Sequence, residues 1–206
     1  MKKIALALAG FGLASVASAQ LINPGLNMTA GHTSTQTVGA GATYNGWTVG
    51  SGPAIEFVPS TVWQTHEGDG AIDLNGTQGP GTIFQQFATT PGQSYRVDFW
   101  YSGNPGPNGS TMGTKSFDVL WDGNQAGIFT FVHQATDRWN NMRWLSGSVT
   151  VLATGTSSIL SFRGRNFNHP DAGAAIDDIS VTPVPEPATI AMLGMGAAAL
   201  FRRRKR

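Results

Sequence analysis

The sequence predicts an all-β chain: an antiparallel β-sandwich or jelly roll held between two processing segments. Three observations carry that expectation. Short stretches of alternating apolar and polar residues recur through the body, turn formers separate them, and no stretch between residues 20 and 183 keeps the 3.6-residue apolar spacing of a helix. A parallel α/β fold needs crossover helices, and none is legible.

The elements follow in order. Period-2 runs fall at 54–58, 71–74, 82–88, 95–101, 116–121, 127–133, 147–153, 158–163 and 176–181. In the fourth, Tyr95, Val97, Phe99 and Tyr101 share the inward face, while Arg96, Asp98 and Trp100 share the other. The breaks between runs hold Glu67-Gly68-Asp69-Gly70, Asn75-Gly76, Pro91-Gly92, Asp122-Gly123-Asn124 and Asn168-His169-Pro170-Asp171, all turn chemistry. Gly76 to Gly81 is glycine-rich, but it lacks the Lys-Ser/Thr of a phosphate loop and feeds a strand, so it predicts a hairpin connection.

Charge excludes one large class of partner. The 206 residues carry 13 basic and 12 acidic side chains, but seven of the basic ones lie at the ends. Residues 20–183 hold six basic and eleven acidic side chains, an acidic body with no basic stripe to replace the counterions of a nucleic acid. The absence of cysteine removes disulfides, thiolate metal sites and cysteine nucleophiles.

The ends supply an address. Lys2-Lys3, an apolar run and Ala17-Ser18-Ala19 before Gln20 have the layout of a secretory signal peptide, cut by signal peptidase after Ala19. Residues 184–206 read Val184-Pro185-Glu186-Pro187, an uncharged run from Ala188 to Phe201, then five basic residues. Cationic residues resist translocation, so this end predicts a short helix in the inner membrane with the body outside. The expected organisation is therefore signal peptide 1–19, sandwich 20–183 and sorting tail 184–206.

Two resemblances sharpen this reading. Pro185-Glu186-Pro187, the apolar helix and the arginine cluster resemble the PEP-CTERM sorting signal of Gram-negative bacteria that make exopolysaccharide. That resemblance implies processing by the membrane enzyme exosortase at the Pro-Glu-Pro triplet, then release to the cell surface or extracellular matrix. The body, through Asn45-Gly46-Trp47, the block Asp69 to Gly76, the block Gly81 to Phe87, Pro91 to Phe99 and Ala175 to Val181, resembles the choice-of-anchor C domains. Those are similar to the DUF642 cell-wall proteins and to galactose-binding-like jelly rolls. The resemblance implies an exported, non-catalytic sandwich that binds or sits among polysaccharides. Related jelly rolls hold Ca²⁺ with oxygen ligands from the first and last strands. Here the first strand, Ile22 to Asn27, lacks the usual acid.

Candidate site residues follow. A tryptophan on a polar face leaves apolar surface in water unless something covers it, so Trp100 with Arg96 and Asp98 forms a candidate sugar platform, with Trp63 in a turn-like stretch as a second. Counting back by two from Ile179 and Val181 puts Asp177 on the inward face, where a buried carboxylate needs a cation or an arginine such as Arg163. Structural calcium at Asp177 is thus the one cofactor considered. His66 and His169 read as solvated turn polarity, and no two histidines have metal-ligand spacing. No catalytic residues are assigned, because no nucleophile elbow or carboxylate pair stands out. The function expected is carbohydrate binding in extracellular polysaccharide; the alternatives are a glycoside-active enzyme and a structural matrix protein without a ligand.

Overall fold

A computed structural model describes residues 20–185. The signal-peptide residues Ala17 and Ala19, the sorting residues Glu186 and Pro187 and both expected terminal helices lie outside the described residues. Two six-stranded antiparallel sheets face each other. The first has the order β1 (Gln36–Val38), β4 (Ile55–Pro59), β5 (Gly70–Asp73), β14 (Ala174–Pro183), β9 (Ser94–Gly103), β12 (Leu145–Leu152). The second runs β11 (Asn124–Val132), β10 (Thr114–Trp121), β13 (Ser157–Gly164), β8 (Thr82–Ala88), β3 (Trp47–Val49), β2 (Thr43–Tyr44). A small ribbon, β6 (Asn75–Gly76) with β7 (Gly79–Pro80), makes the hairpin read from the glycine-rich stretch. A single 3-10 turn at Pro107–Gly109 is the only helical element among the described residues, and none of these residues forms a helix long and apolar enough to cross a membrane.

Alternation decides which residues meet between the sheets. Tyr95, Val97 and Phe99 from β9 face Phe117, Val119 and Trp121 from β10 and Leu160 and Phe162 from β13, all buried. Two hairpins show how local chemistry sets register. Asp122-Gly123 and Asn45-Gly46 each join their strands with two residues at positive φ, the type I′ geometry that matches strand twist and that Asx-Gly adopts at little cost.

The outer face of the first sheet carries a second, smaller core. Val58, Trp63, Ala71, Met142 and Ala175 are buried there beneath the loops 60–69 and 133–144, with Val62, Trp139 and Trp144 packed alongside. Gln64 fastens the two loops, accepting from Met142 N at 3.1 Å through its side chain and from Trp144 Nε1 at 3.0 Å through its carbonyl. Within the second loop Arg143 grips the buried Asp137 through Nε at 3.0 Å and Nη2 at 3.1 Å, and its guanidinium lies 4.3 Å from the centre of the Phe131 ring. Burial raises the Asp137 carboxyl, but the Arg143 hydrogen bonds outweigh it and hold the group below the usual carboxylate range.

At one end of the sandwich a polar plug replaces apolar packing. The buried Asp73 accepts from Asn75 N and Gly173 N, both at 2.9 Å, and from Asn104 Nδ2 at 2.8 Å. Burial pushes its carboxyl up to about 7 against those hydrogen bonds. The buried Lys115 donates to the Ala172 carbonyl at 2.6 Å.

Candidate functional site

On the outer face of the first sheet, the part left open by the two loops is a polar ledge with an aromatic wall. Strand β9 sends out Arg96, Asp98 and Trp100. Their cross-strand partners on β12 are Thr150, Ser148 and Ser146, and on β14 they are Thr182, Ser180 and Asp177. The serines and threonines are exposed, so the ledge offers two rows of hydroxyls, one on each side of β9. Arg96 Nε reaches both Asp98 Oδ1 at 2.8 Å and Ser148 Oγ at 3.2 Å, which ties the guanidinium to its own strand and to β12.

The wall rises at Trp100. Its indole is half-buried and stacks on His66 from the covering loop, with ring centres 3.9 Å apart and planes 15° apart. Trp144 closes against the same histidine edge-on at 6.5 Å. His66 Nδ1 lies 3.4 Å from Asp178 Oδ2 without hydrogen-bonding geometry. Trp100 is thus covered by a loop histidine on one side and half-exposed beyond it, a sheet residue with a partner rather than a bare platform.

Two expected site residues stand elsewhere. Trp63 is 2% exposed and packs in the small core with its indole N–H lacking an acceptor, so it presents no surface for stacking; the loop that carries it folds down onto the sheet. Asp177 is buried, as expected, but on the opposite face. Strand β14 has a bulge: Asp177 pairs Trp100 and Ser180 pairs Asp98, leaving two residues opposite Phe99, with Asp178 at φ 47°. Ile176 and Ile179 both reach the main core, and Asp177 turns outward beneath the loop.

The surroundings of Asp177 do not fit a cation. Its Oδ2 accepts from the backbone N–H of His66 at 2.7 Å and of Glu67 at 3.2 Å, and its Oδ1 accepts from Asp178 N at 2.7 Å. Three N–H donors point where oxygen ligands would have to be. Nor does Arg163 serve it, because that guanidinium is bound to Asp118. Burial pushes the Asp177 carboxyl up to about 7 despite the three hydrogen bonds, so the group works as a strut holding the loop to the sheet. Among the described residues no cluster of three or more His, Cys, Asp or Glu is arranged to hold a metal ion.

Sequence reasoning read His66 as solvated turn polarity, whereas it is packed on Trp100, and it gave Trp144 no role. Both lie in loops, where periodicity is silent, and hydrogen bonds of those loops to Asp177 and Gln64 set His66 on Trp100 and Trp144 on His66.

Residues 21–182 match a family model, the one described as "Protein of unknown function (DUF642)". The chain belongs to the DUF642 family. In this DUF642 chain residues 183–206 match a second model, the PEP-CTERM protein-sorting motif, which marks the protein for export and sorting to the cell surface and implies exosortase processing. None of the curated proteins compared by sequence matches it. Among solved structures, a cyclase from Fischerella sp. TAU is similar with TM-score 0.55 and 12% identity, over 83% of this chain and 98% of that one, a likeness of fold alone. A family 35 carbohydrate binding module from Clostridium thermocellum is similar with TM-score 0.46 and 15% identity, over 72% of this chain and 97% of that one. TmCBM61, solved with β-1,4-galactotriose, is similar with TM-score 0.47 and 15% identity, over 82% and 100% of the two chains.

Proposed function

We propose that this DUF642 protein is an exported, non-catalytic carbohydrate-binding module of the extracellular polysaccharide, with its sugar lying on the ledge of the first sheet against the aromatic wall. The observation that carries the reading is the junction of Trp100, His66 and Trp144 with the rows of Ser146, Ser148, Ser180 and Thr182. Such a surface offers apolar area for the C–H face of a ring and hydroxyls, a carboxylate and a guanidinium for its oxygens. The nearest buried acid, Asp177, has both oxygens occupied by N–H donors, which speaks against an acid or base open to substrate.

Trp100→Ala tests the reading. The half-buried indole should cost about 1–2 kcal/mol of stability, while a central tryptophan of a binding surface should cost at least about 2 kcal/mol of affinity, roughly a 30-fold rise in Kd. Ser148→Lys, on the exposed ledge, should block binding at an unchanged melting temperature. A glycan array on the purified protein supplies the ligand for both titrations. Absence of saturable binding to any glycan would overturn the proposal in favour of a structural matrix protein.

Processing gives a second test. The folded body ends close to the sorting triplet: Val184 N donates to Ser94 O at 2.8 Å, Gln93 Nε2 donates to Val184 O at 2.7 Å, and Pro185 is exposed. We read Pro185-Glu186-Pro187 as the site exosortase recognises while the apolar run 188–201 holds the chain in the inner membrane. Replacing all three residues with alanine should leave signal-peptidase cleavage after Ala19 intact and keep the protein in the inner membrane with its basic tail uncut. Intact mass and fractionation decide it; the wild-type mass in the surface fraction would refute the assignment.

A further inference from the structure

The other sheet carries a feature that the ledge does not explain. Asp118 stands on the outer face of β10 with its side chain almost fully buried, and two arginines converge on it. Arg163 on β13 donates to Oδ2 through Nε at 2.9 Å and Nη2 at 2.7 Å, Arg165 donates to Oδ1 through Nη1 at 2.8 Å, and Gln125 Nε2 adds a bond to Oδ1 at 2.7 Å. One arginine with Gln125 would satisfy the carboxylate; the second leaves the cluster with a net positive charge on a body that is otherwise acidic.

Both guanidiniums remain open to solvent, with 49% and 43% of the Arg163 and Arg165 side chains exposed. Each carries five N–H donors in a rigid fork; Arg163 commits two to Asp118 and Arg165 one. They line a depression of about 420 Å³ together with Ser51, Thr82 and Phe167, and Phe167 is 79% exposed at its rim. An exposed aromatic ring and two held guanidinium forks in one depression offer a stacking face and a planar anion site.

We propose that this depression is a second glycan subsite, specific for the carboxylate of an acidic sugar residue, with Arg165 and Arg163 gripping the carboxylate and Phe167 supporting the ring. Asp118 and Gln125 hold the arginines in place. The subsite is independent of the ledge on the first sheet and adds acidic polysaccharide to the ligand class.

The test uses the full chain purified in detergent, titrated in calcium-free buffer with a mannuronate oligosaccharide, its carboxyl-reduced neutral counterpart and dextran sulfate. The wild type should bind mannuronate, more weakly at high salt, and the reduced oligosaccharide at least tenfold more weakly. Arg165→Gln should weaken mannuronate binding at least tenfold while the protein stays folded, since Arg163 and Gln125 still hold Asp118, and Phe167→Ala should weaken it severalfold. Ser148→Lys should leave mannuronate binding intact, which separates this subsite from the ledge. Undiminished binding by Arg165→Gln, equal binding of the reduced oligosaccharide, or binding of dextran sulfate alone would each overturn the proposal.

Discussion

Truncating Phe99 to alanine is expected to lower the unfolding free energy by about 3–5 kcal/mol, the range for a large aromatic removed from a packed core. The ring is 1% exposed and projects from β9 into the opposite sheet. It meets Phe129 edge-on with centres 4.9 Å apart, Phe162 at 5.3 Å and Phe117 at 5.8 Å, so one side chain joins three strands of the second sheet to the first. Opposite it on β12 stands Gly147, where a Cβ would come within 2.4 Å of the ring. The surroundings are shaped to Phe99 and would collapse poorly into the space it leaves. A denaturant titration measures the loss; a change below about 1 kcal/mol would mean that the aromatic cluster does not hold the sheets together.

Acidification from pH 8 to about pH 4.5 is expected to stabilise the fold. Burial pushes the carboxyls of Asp73 and Asp177 up to about 7, while an unfolded aspartate titrates near 3.8. Between those values the folded chain keeps protons that the unfolded chain has released, so stability falls as pH rises through the window and levels off above it. A carboxyl displaced that far has a ceiling of about 4 kcal/mol on its share. Asp118 and Asp137 act in the opposite sense. Burial raises both, but their arginine partners outweigh it and hold them low, so the stability they contribute is present above the ordinary aspartate range and is lost as pH falls below it. The melting temperature should therefore peak near pH 4–5, and Asp177→Asn should flatten the slope between pH 5 and 7. A melting temperature that drops between pH 7 and 5 would contradict the assignment.

How far the sequence foretold this molecule depended on where each residue sat. Strand β9 was legible because Tyr95, Val97 and Phe99 alternate with Arg96, Asp98 and Trp100 without interruption, and a strand buried on one face imposes that alternation on its sequence. In β14 the same rule sent Asp177 to the wrong face. The spacing of Ile176 and Ile179, three residues apart rather than two, is the trace of the inserted residue, and only pairing with β9 shows where the strand bends. Trp63 was misplaced for a different reason. Nothing in Thr61 to Thr65 signals that a loop will fold back over a sheet, because the contacts that hold it come from residues nearly 80 positions away, Met142 and Trp144. The Trp100 neighbourhood was half visible: the strand supplied the indole, and the distant loops supplied His66 and Trp144.

The position of β14 also determines how the domain answers to force. It lies in the interior of its sheet, between β5 and β9, and runs antiparallel to β9 along most of its length up to Pro183, where the sorting tail begins. A pull on Val184 acts along the strand and across the hydrogen bonds to β9, which are perpendicular to it. Those bonds must yield together in shear instead of unzipping one at a time, so a load borne through this end of the domain meets the sheet in its mechanically strong direction.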